Sequence, residues 1–266
     1  MTAVSLTVLG CGSSSGTPVV GCDCAVCLSP LPENTRSRCS AYIRIGGSGW
    51  VIDTGTDFRY QALREQLPRV DGVLYTHPHA DHLNGIDDLR AFCYRQQGAI
   101  AVYGSEFTLN NIETRFDYAF WPPTHYWNRP VLTAHRLPES RNGSPVLDLG
   151  GVPLWHYQAP HGRWHSSIYR IGNIAWITDV NHLDDAIVAA LAGLDYLFLD
   201  CLTEAEYPSH LSVAQAFDYA RRIGARQTYF IHMTHFLEYT DLNRRSPPAC
   251  AAAYDGLRVC SEWQAA

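Results

Sequence analysis

The sequence predicts an α/β fold built as a single domain over residues 1–266. Three observations predict it. Short stretches rich in β-branched residues alternate with stretches of helical spacing along the chain. Acids and histidines recur just past the predicted strand ends, where the sites of layered α/β proteins collect. At 266 residues and 46% hydrophobic, the chain can bury one large core, and neither a fixed-period repeat nor a low-complexity linker divides it.

Residues 5–9 form the first apolar strand, which runs into Gly10-Cys11-Gly12-Ser13-Ser14-Ser15-Gly16. That loop holds too much glycine and serine to continue as strand or helix, so its N–H groups either face an anion or simply turn the chain. Residues 41–45 and 50–52 read as a hairpin around Gly46-Gly47-Ser48-Gly49, with Asp53-Thr54-Gly55 at the exit of its second strand. A helix is expected at 57–66, a strand at 72–76, and a helix at 83–94 with Leu83, Ile86, Leu89 and Phe92 on one face. After a strand at 99–103, residues 104–130 carry Phe116, Tyr118, Phe120, Trp121, Tyr126 and Trp127 among polar residues. These rings either cap a pocket or tuck into the core. Strands follow at 152–159, 167–171, 175–178 and 196–199, then a helix at 213–223 and a strand at 227–231. His161, Asp179, Asp200 and His232 each fall at or just beyond the end of one of these strands.

The strand at 72–76 delivers Thr76-His77-Pro78-His79-Ala80-Asp81-His82. Three imidazoles and a carboxylate in six residues have few uses except holding metal. Crowded histidines repel once protonated, and burying them without a cation costs free energy that a divalent ion offsets. His125, His135, His156 and His182 have no motif partners and read as ordinary surface or core histidines. A net charge of −6 argues against a broad surface for extended nucleic acid. No apolar run approaches the roughly 20 residues that span a bilayer, and the N-terminus lacks a basic stretch followed by a secretory apolar segment. Nine unevenly placed cysteines fit thiols and metal ligands in a reducing compartment. A cytoplasmic protein without a membrane partner is the expectation.

Asp53, then His77, His79, Asp81 and His82, then His161, Asp179 and His232 run in this order through most of the chain. The pattern resembles the metallo-β-lactamase superfamily. The resemblance implies an αββα sandwich of two mixed β-sheets with helices outside and metals at one edge. It implies that His77, His79 and His161 hold one divalent metal, that Asp81, His82 and His232 hold a second, and that Asp179 bridges them. Imidazoles and carboxylates suit Zn, Mn or Fe, and two such ions share and acidify a water. Asp53 matches the family's strand-end aspartate, which orients the ligand loop and hydrogen-bonds the nucleophile. Aspartate rather than cysteine at position 179 disfavours antibiotic hydrolysis. His165 competes with His161 as third ligand; His161 is preferred because it comes directly off its strand through Pro160.

Cys22-Asp23-Cys24-Ala25-Val26-Cys27 offers three thiolates, one ligand short of a closed tetrahedral zinc site. His235, three residues past His232, completes the match to the PhnP-like branch of the superfamily, in which a similar cysteine trio and a late histidine hold a structural zinc. Such a zinc would clamp the N-terminal segment onto the loop carrying His232. The same branch implies that His210, in Ser209-His210-Leu211-Ser212, is a catalytic histidine that contacts phosphate and protonates the leaving oxygen. The resulting expectation is a metal-dependent phosphodiesterase acting on a small cyclic or nucleotide-like phosphodiester, with Asp53, Asp81 and His210 in catalysis, and possibly a homodimer as in PhnP-like members. The alternatives are thioester or lactone hydrolysis on the same site, or a non-catalytic accessory role of the PqqB-like kind.

Overall fold

The computed structural model describes residues 1–123, 128–141 and 143–264. Alternation along the strands decides the layers. On β1 (Thr2–Gly10), Val4, Leu6 and Val8 are buried with Ala41, Ile43 and Ile45 of the neighbouring β2 (Ser40–Ile45), in a core shared with the second sheet. The opposite faces, carrying Leu9 and Tyr42, join a separate core beneath helices. A turn at Gly46-Gly47 leads to β3 (Ser48–Ile52), antiparallel to β2. From there the chain turns to crossovers: α1 (Phe58–Arg64), β4 (Gly72–Leu74), α2 (Ala80–Leu83), α3 (Arg90–Gln96), β5 (Ile100–Gly104), α4 (Glu106–Arg115) and β6 (Leu132–Arg136), with β3 to β6 parallel.

The second half follows with β7 (Leu147–Asp148), β8 (Pro153–His161), β9 (Trp164–Ile171), β10 (Ile174–Ile177), α5 (Asp185–Ala190), β11 (Tyr196–Asp200), α6 (Val213–Ile223), β12 (Gln227–Ile231), α7 (Tyr239–Arg245), β13 (Cys250–Ala252) and β14 (Arg258–Trp263). Among the described residues the strands make two seven-stranded sheets, ordered β14-β1-β2-β3-β4-β5-β6 and β13-β12-β11-β10-β9-β8-β7. Both are mixed, and helices cover their outer faces, as the αββα expectation required.

The halves share one topology. β1-β2-β3 and β8-β9-β10 are both antiparallel meanders, and each is followed by three parallel strands. Asp53 beyond β3 and Asp179 beyond β10 therefore occupy equivalent places. No sequence periodicity announced this, because the repeat lies in hydrogen-bond direction rather than residue identity.

Several predicted elements needed correction. The expected helix 83–94 is three pieces: α2, a 3-10 turn at Ile86–Leu89, and α3. The reason is backbone contact. A Cβ at Gly85 would collide with the Gly55 carbonyl, and one at Gly55 with the Asp81 carbonyl, so these two glycines let the 53–55 loop abut the ligand loop. Thr54 N donates to His82 O and Gly85 N to Thr54 O across that contact. Residues 104–130 hold a helix, α4, started by Ser105 accepting from Thr108 N. The helix at 213–223 forms as expected, with a capping box between Ser212 and Gln215. Among the described residues, no helix is long and apolar enough to cross a membrane.

Candidate metal centre

β3, β4, β8, β10, β11 and β12 release the chain at one edge of the sandwich, and their following residues meet there. His77 Nε2 lies 2.8 Å from His79 Nδ1, and His161 Nε2 is 3.2 Å from that same nitrogen. Asp179 Oδ1 is 3.8 Å from His77 Nε2 and 3.7 Å from His161 Nε2. Beside them, His82 Nε2 is 3.2 Å from Asp81 Oδ2, and His232 Nε2 is 3.8 Å from the same oxygen. Asp179 faces this second group as well, with Oδ2 3.2 Å from His82 Nε2 and Oδ1 3.4 Å from His232 Nε2. Within each group the donor atoms lie within 4.8 Å of one another, close enough for one ion to bind all of them.

The other ring nitrogens are held from behind. His82 Nδ1 meets Asp53 Oδ2 at 2.7 Å, His77 Nδ1 meets Thr76 Oγ1 at 3.1 Å, and His161 Nδ1 donates to Ser209 O at 2.8 Å. Such partners fix ring orientation and leave the inward nitrogen basic. Asp53 is fully buried and also accepts from Thr76 N and Thr76 Oγ1. Its oxygens are thus occupied by the ligand loop, which makes it a positioning residue.

The electrostatics fit a cation. His82 Nε2 and His232 Nε2 are buried without a hydrogen-bond partner, an expensive state that an ion would relieve. Burial alone would lower the His82 pKa, yet the carboxylates of Asp179, Asp81 and Asp53 hold it well above the usual imidazole value. Burial would raise Asp179, yet His232, His82 and His77 hold its pKa far down. Three carboxylates focused on one spot favour positive charge there, and a divalent ion supplies more of it than one imidazolium.

Strain accompanies the assembly. Asp53, Asp179 and His232 all have left-handed backbones, with φ of 60°, 58° and 59°. A non-glycine residue in that region costs of order 1 kcal/mol, and here the turn aims each side chain across the sheet edge.

His210 sits on the loop before α6, 8% exposed, with Nε2 3.9 Å from Asp179 Oδ1. Its ring stacks on His232 with centroids 4.8 Å apart. Asp200, fully buried, lies behind it with Oδ2 3.3 Å from His210 Nδ1. Burial pulls the His210 pKa down, but Asp200 and then Asp179 raise it to about 9. Sequence reading placed Asp200 at a strand end without a role; the hint was an acid beyond a buried strand, a signal shared by many structural residues. His165 is exposed on β9 and outside both groups, so His161 is the histidine the fold brings to the centre.

The cysteine cluster also assembles. His235 Nδ1 is 3.3, 3.5 and 3.4 Å from the sulfurs of Cys22, Cys24 and Cys27. Nitrogen and sulfur ligands of one tetrahedral zinc stand about 3.5 Å apart, so the spacing suits that ion. A backbone N–H donated by Cys27 outweighs burial and, with His235, lowers the Cys24 pKa to about 6, which favours the thiolate a metal needs.

Other expected features resolve differently. In the loop 10–16, Cys11 N donates to Asp255, Gly12 N to Ser37 O, Ser13 N to Met233 O and Gly16 N to Ser13 O. That loop ties the chain to the His232 segment and turns. Phe116, Tyr118 and Phe120 pack on the outer core, and Trp121 lies 55% exposed beneath Arg129, while Tyr126, Trp127 and His125 lie outside the described residues. His156 is a core histidine bonded to Ser167 and Pro138 O; His135 stacks on Tyr103, and His182 bonds Tyr219.

A model of the β-lactamase superfamily domain matches residues 50–233. A solved structure described as a new diphosphatase from the PhnP family superposes with a TM-score of 0.90 at 35% identity, covering 99% of each chain. The chain belongs to the PhnP family of the metallo-β-lactamase superfamily. A curated relative from Porphyromonas gingivalis strain W83, named octanoyltransferase, is 35% identical over 260 residues. The match covers 95% of this chain but 50% of that protein, so this PhnP-family chain spans about half the length of the curated relative. Zinc-bound PqqB from Methylobacterium extorquens shares the fold, with a TM-score of 0.75 at 15% identity over 96% of this chain and 99% of its own.

Proposed function

We propose that this metallohydrolase cleaves a small phosphodiester. The observation that carries the reading is His210: a nearly buried imidazole, backed by Asp200, that faces the same Asp179 shared by both donor groups. In this reading His77, His79, His161 and Asp179 would hold one divalent ion, and Asp81, His82 and His232, with Asp179 beside them, would hold another. Such ions, whether Zn, Mn or Fe, would supply acidification of a water and neutralisation of charge developing on a phosphoryl group. Cys22, Cys24, Cys27 and His235 hold a structural zinc.

The chain's own residues do the rest. A water oxygen, having lost one proton to solvent, bonds to phosphorus as the P–O bond to the leaving group breaks, and His210 gives its Nε2 proton to the departing oxygen and is reprotonated from solvent. Asp200 stabilises the imidazolium before transfer and keeps Nε2 aimed at the centre. Asp53 and Thr76 hold the ligand loop, so that His82 needs no rearrangement during reaction. The likeness to a diphosphatase supports P–O cleavage, since a phosphoanhydride and a phosphodiester make the same demands on the site.

A second reading comes from the curated relative: an octanoyltransferase handles an acyl group, and an acyl ester or thioester could occupy the same centre. Reconstitution with Mn or Zn, metal analysis, and turnover of bis(p-nitrophenyl) phosphate, a cyclic ribose phosphate and an octanoyl thioester decide between them. About three metals per chain with phosphodiester turnover supports the proposal. Acyl turnover alone selects the second reading, and full metal content without turnover points to an accessory role.

A further inference from the structure

Six rings run in a row across the mouth of the centre. Phe107 lies 5.6 Å from Trp164, Trp164 4.5 Å from His79, His79 5.1 Å from His161, His161 4.8 Å from His210, and His210 5.7 Å from Tyr207. The four inner members include three site histidines. The outer rings have no such duty, yet Phe107 is 45% and Tyr207 52% exposed, and Trp164 is only half-buried. Single exposed aromatics need no explanation, but rings at both ends of one polar centre are a different matter.

Their placement is built from both halves of the fold. Trp164 opens β9 directly after the two-residue turn that follows His161. Phe107 stands in the first turn of α4, and the last turn of that helix is fastened to the ligand loop by Arg115, which donates to Pro78 O and Asn84 Oδ1 at 2.6 Å each. The helix is thus held to the histidine string at one end and offers Phe107 to Trp164 at the other. Cationic side chains at this rim are few, with Arg163 exposed in the turn between His161 and Trp164. The chain has no lysine at all, and Arg115 is already occupied. What the mouth presents beside His79 is ring surface.

We propose that Trp164 and Phe107 form a stacking subsite for a planar group carried by the substrate phosphate, so that the substrate is a nucleotide-type ester rather than a plain sugar or alkyl phosphate. This rests on the phosphoester reading of the centre. Stacking of a base on aromatic side chains has the right strength to set preference, roughly tenfold or more per base. The site would then read its substrate by ring faces, while the donor groups take the phosphate.

The test is equilibrium binding by calorimetry of adenosine 5′-monophosphate and ribose 5-phosphate, which differ by the base alone, to zinc-reconstituted wild type, Trp164→Leu and Phe107→Ala. The expected result is about tenfold tighter binding of the nucleotide by wild type, and a ratio moving toward one in both variants with ribose phosphate affinity unchanged. Phe107 is a surface side chain, so its variant keeps the test valid should Trp164→Leu fail to fold. Equal affinities in wild type, or a ratio untouched in both variants, overturn the subsite. Turnover of bis(p-nitrophenyl) phosphate, measured alongside, reports separately on the phosphoester reading.

Discussion

Asp200 Oδ2 stands 3.3 Å from Nδ1 of His210, and the same carboxylate reaches His232, with Oδ1 3.6 Å from its Nδ1. Leu211 N and Val180 N donate to Oδ2 at 3.0 and 3.4 Å, so one fully buried acid gathers the loops that carry His210, Asp179 and His232. Asp200→Asn keeps the shape and removes the charge. We expect kcat to fall about 10- to 100-fold with KM changed far less, the usual scale for losing a carboxylate behind a ligand or acid. Steady-state kinetics at matched metal content checks it; unchanged kcat would leave Asp200 a purely structural acid.

His210→Ala removes the proton donor without replacing a member of either donor group. For a poor leaving group such as an alkoxide, turnover is expected to drop about 10²- to 10⁴-fold. For p-nitrophenolate, which departs without protonation, the loss is smaller. Equal losses on both substrates would contradict proton donation to the leaving oxygen.

Cys24→Ser weakens a sulfur ligand whose pKa is lowered to about 6. Metal analysis is expected to show about one ion fewer per chain, and thermal unfolding a lower midpoint, because the cluster joins the segment at 22–27 to His235. Retention of the wild-type metal count and midpoint would remove the structural-zinc assignment.

Arg36 is 1% exposed and its guanidinium donates to Glu33 O, Thr234 O, Asn34 Oδ1 and Leu237 O. It laces the segment after the cysteine trio to the segment flanking His235. Arg36→Met strands these acceptors, and denaturant unfolding should report a loss of about 2–4 kcal/mol.

Glu65 offers a pH test away from the centre. Burial would raise its pKa, but Arg64 at 2.8 Å and Arg258 at 3.0 Å lower it below 4.5. A carboxyl whose folded pKa is depressed stabilises the fold above its unfolded pKa, and that contribution fades as pH falls through the folded value. Glu65→Gln should therefore be less stable than wild type near pH 7, by about 1 kcal/mol since Arg258 is exposed. The two proteins should converge in acid below pH 4.5, as urea unfolding at several pH values would show.

How much of this was legible varies with how local the signal is. His77, His79, Asp81 and His82 stand within six residues after a strand, so a reader of the chain finds them at once. His161, Asp179 and His232 are single residues at strand ends, and only their order beside that string made them candidates. Asp200 looked the same as they did and received no role, because which strand-end acids face inward depends on sheet order. The aromatic segment left two readings open, and Phe116, Tyr118 and Phe120 take the one in which they pack on the outer core, while Phe107 and Trp164, far apart in the chain, meet beside His79.

By itself the sequence determined the donor chemistry, most strands and the helix at 213–223, since residue type and local spacing encode these directly, whereas the pairing of the cysteine trio with His235 came only from the family resemblance. Tertiary structure alone decided that Asp200 backs two histidines and that the two halves repeat one topology, and it supplied the distances at which Asp179 faces both donor groups and Asp53 lies behind His82. Those are relations between residues up to about half the chain apart, created when strand ends converge at one sheet edge and three left-handed residues there turn their side chains toward a common point.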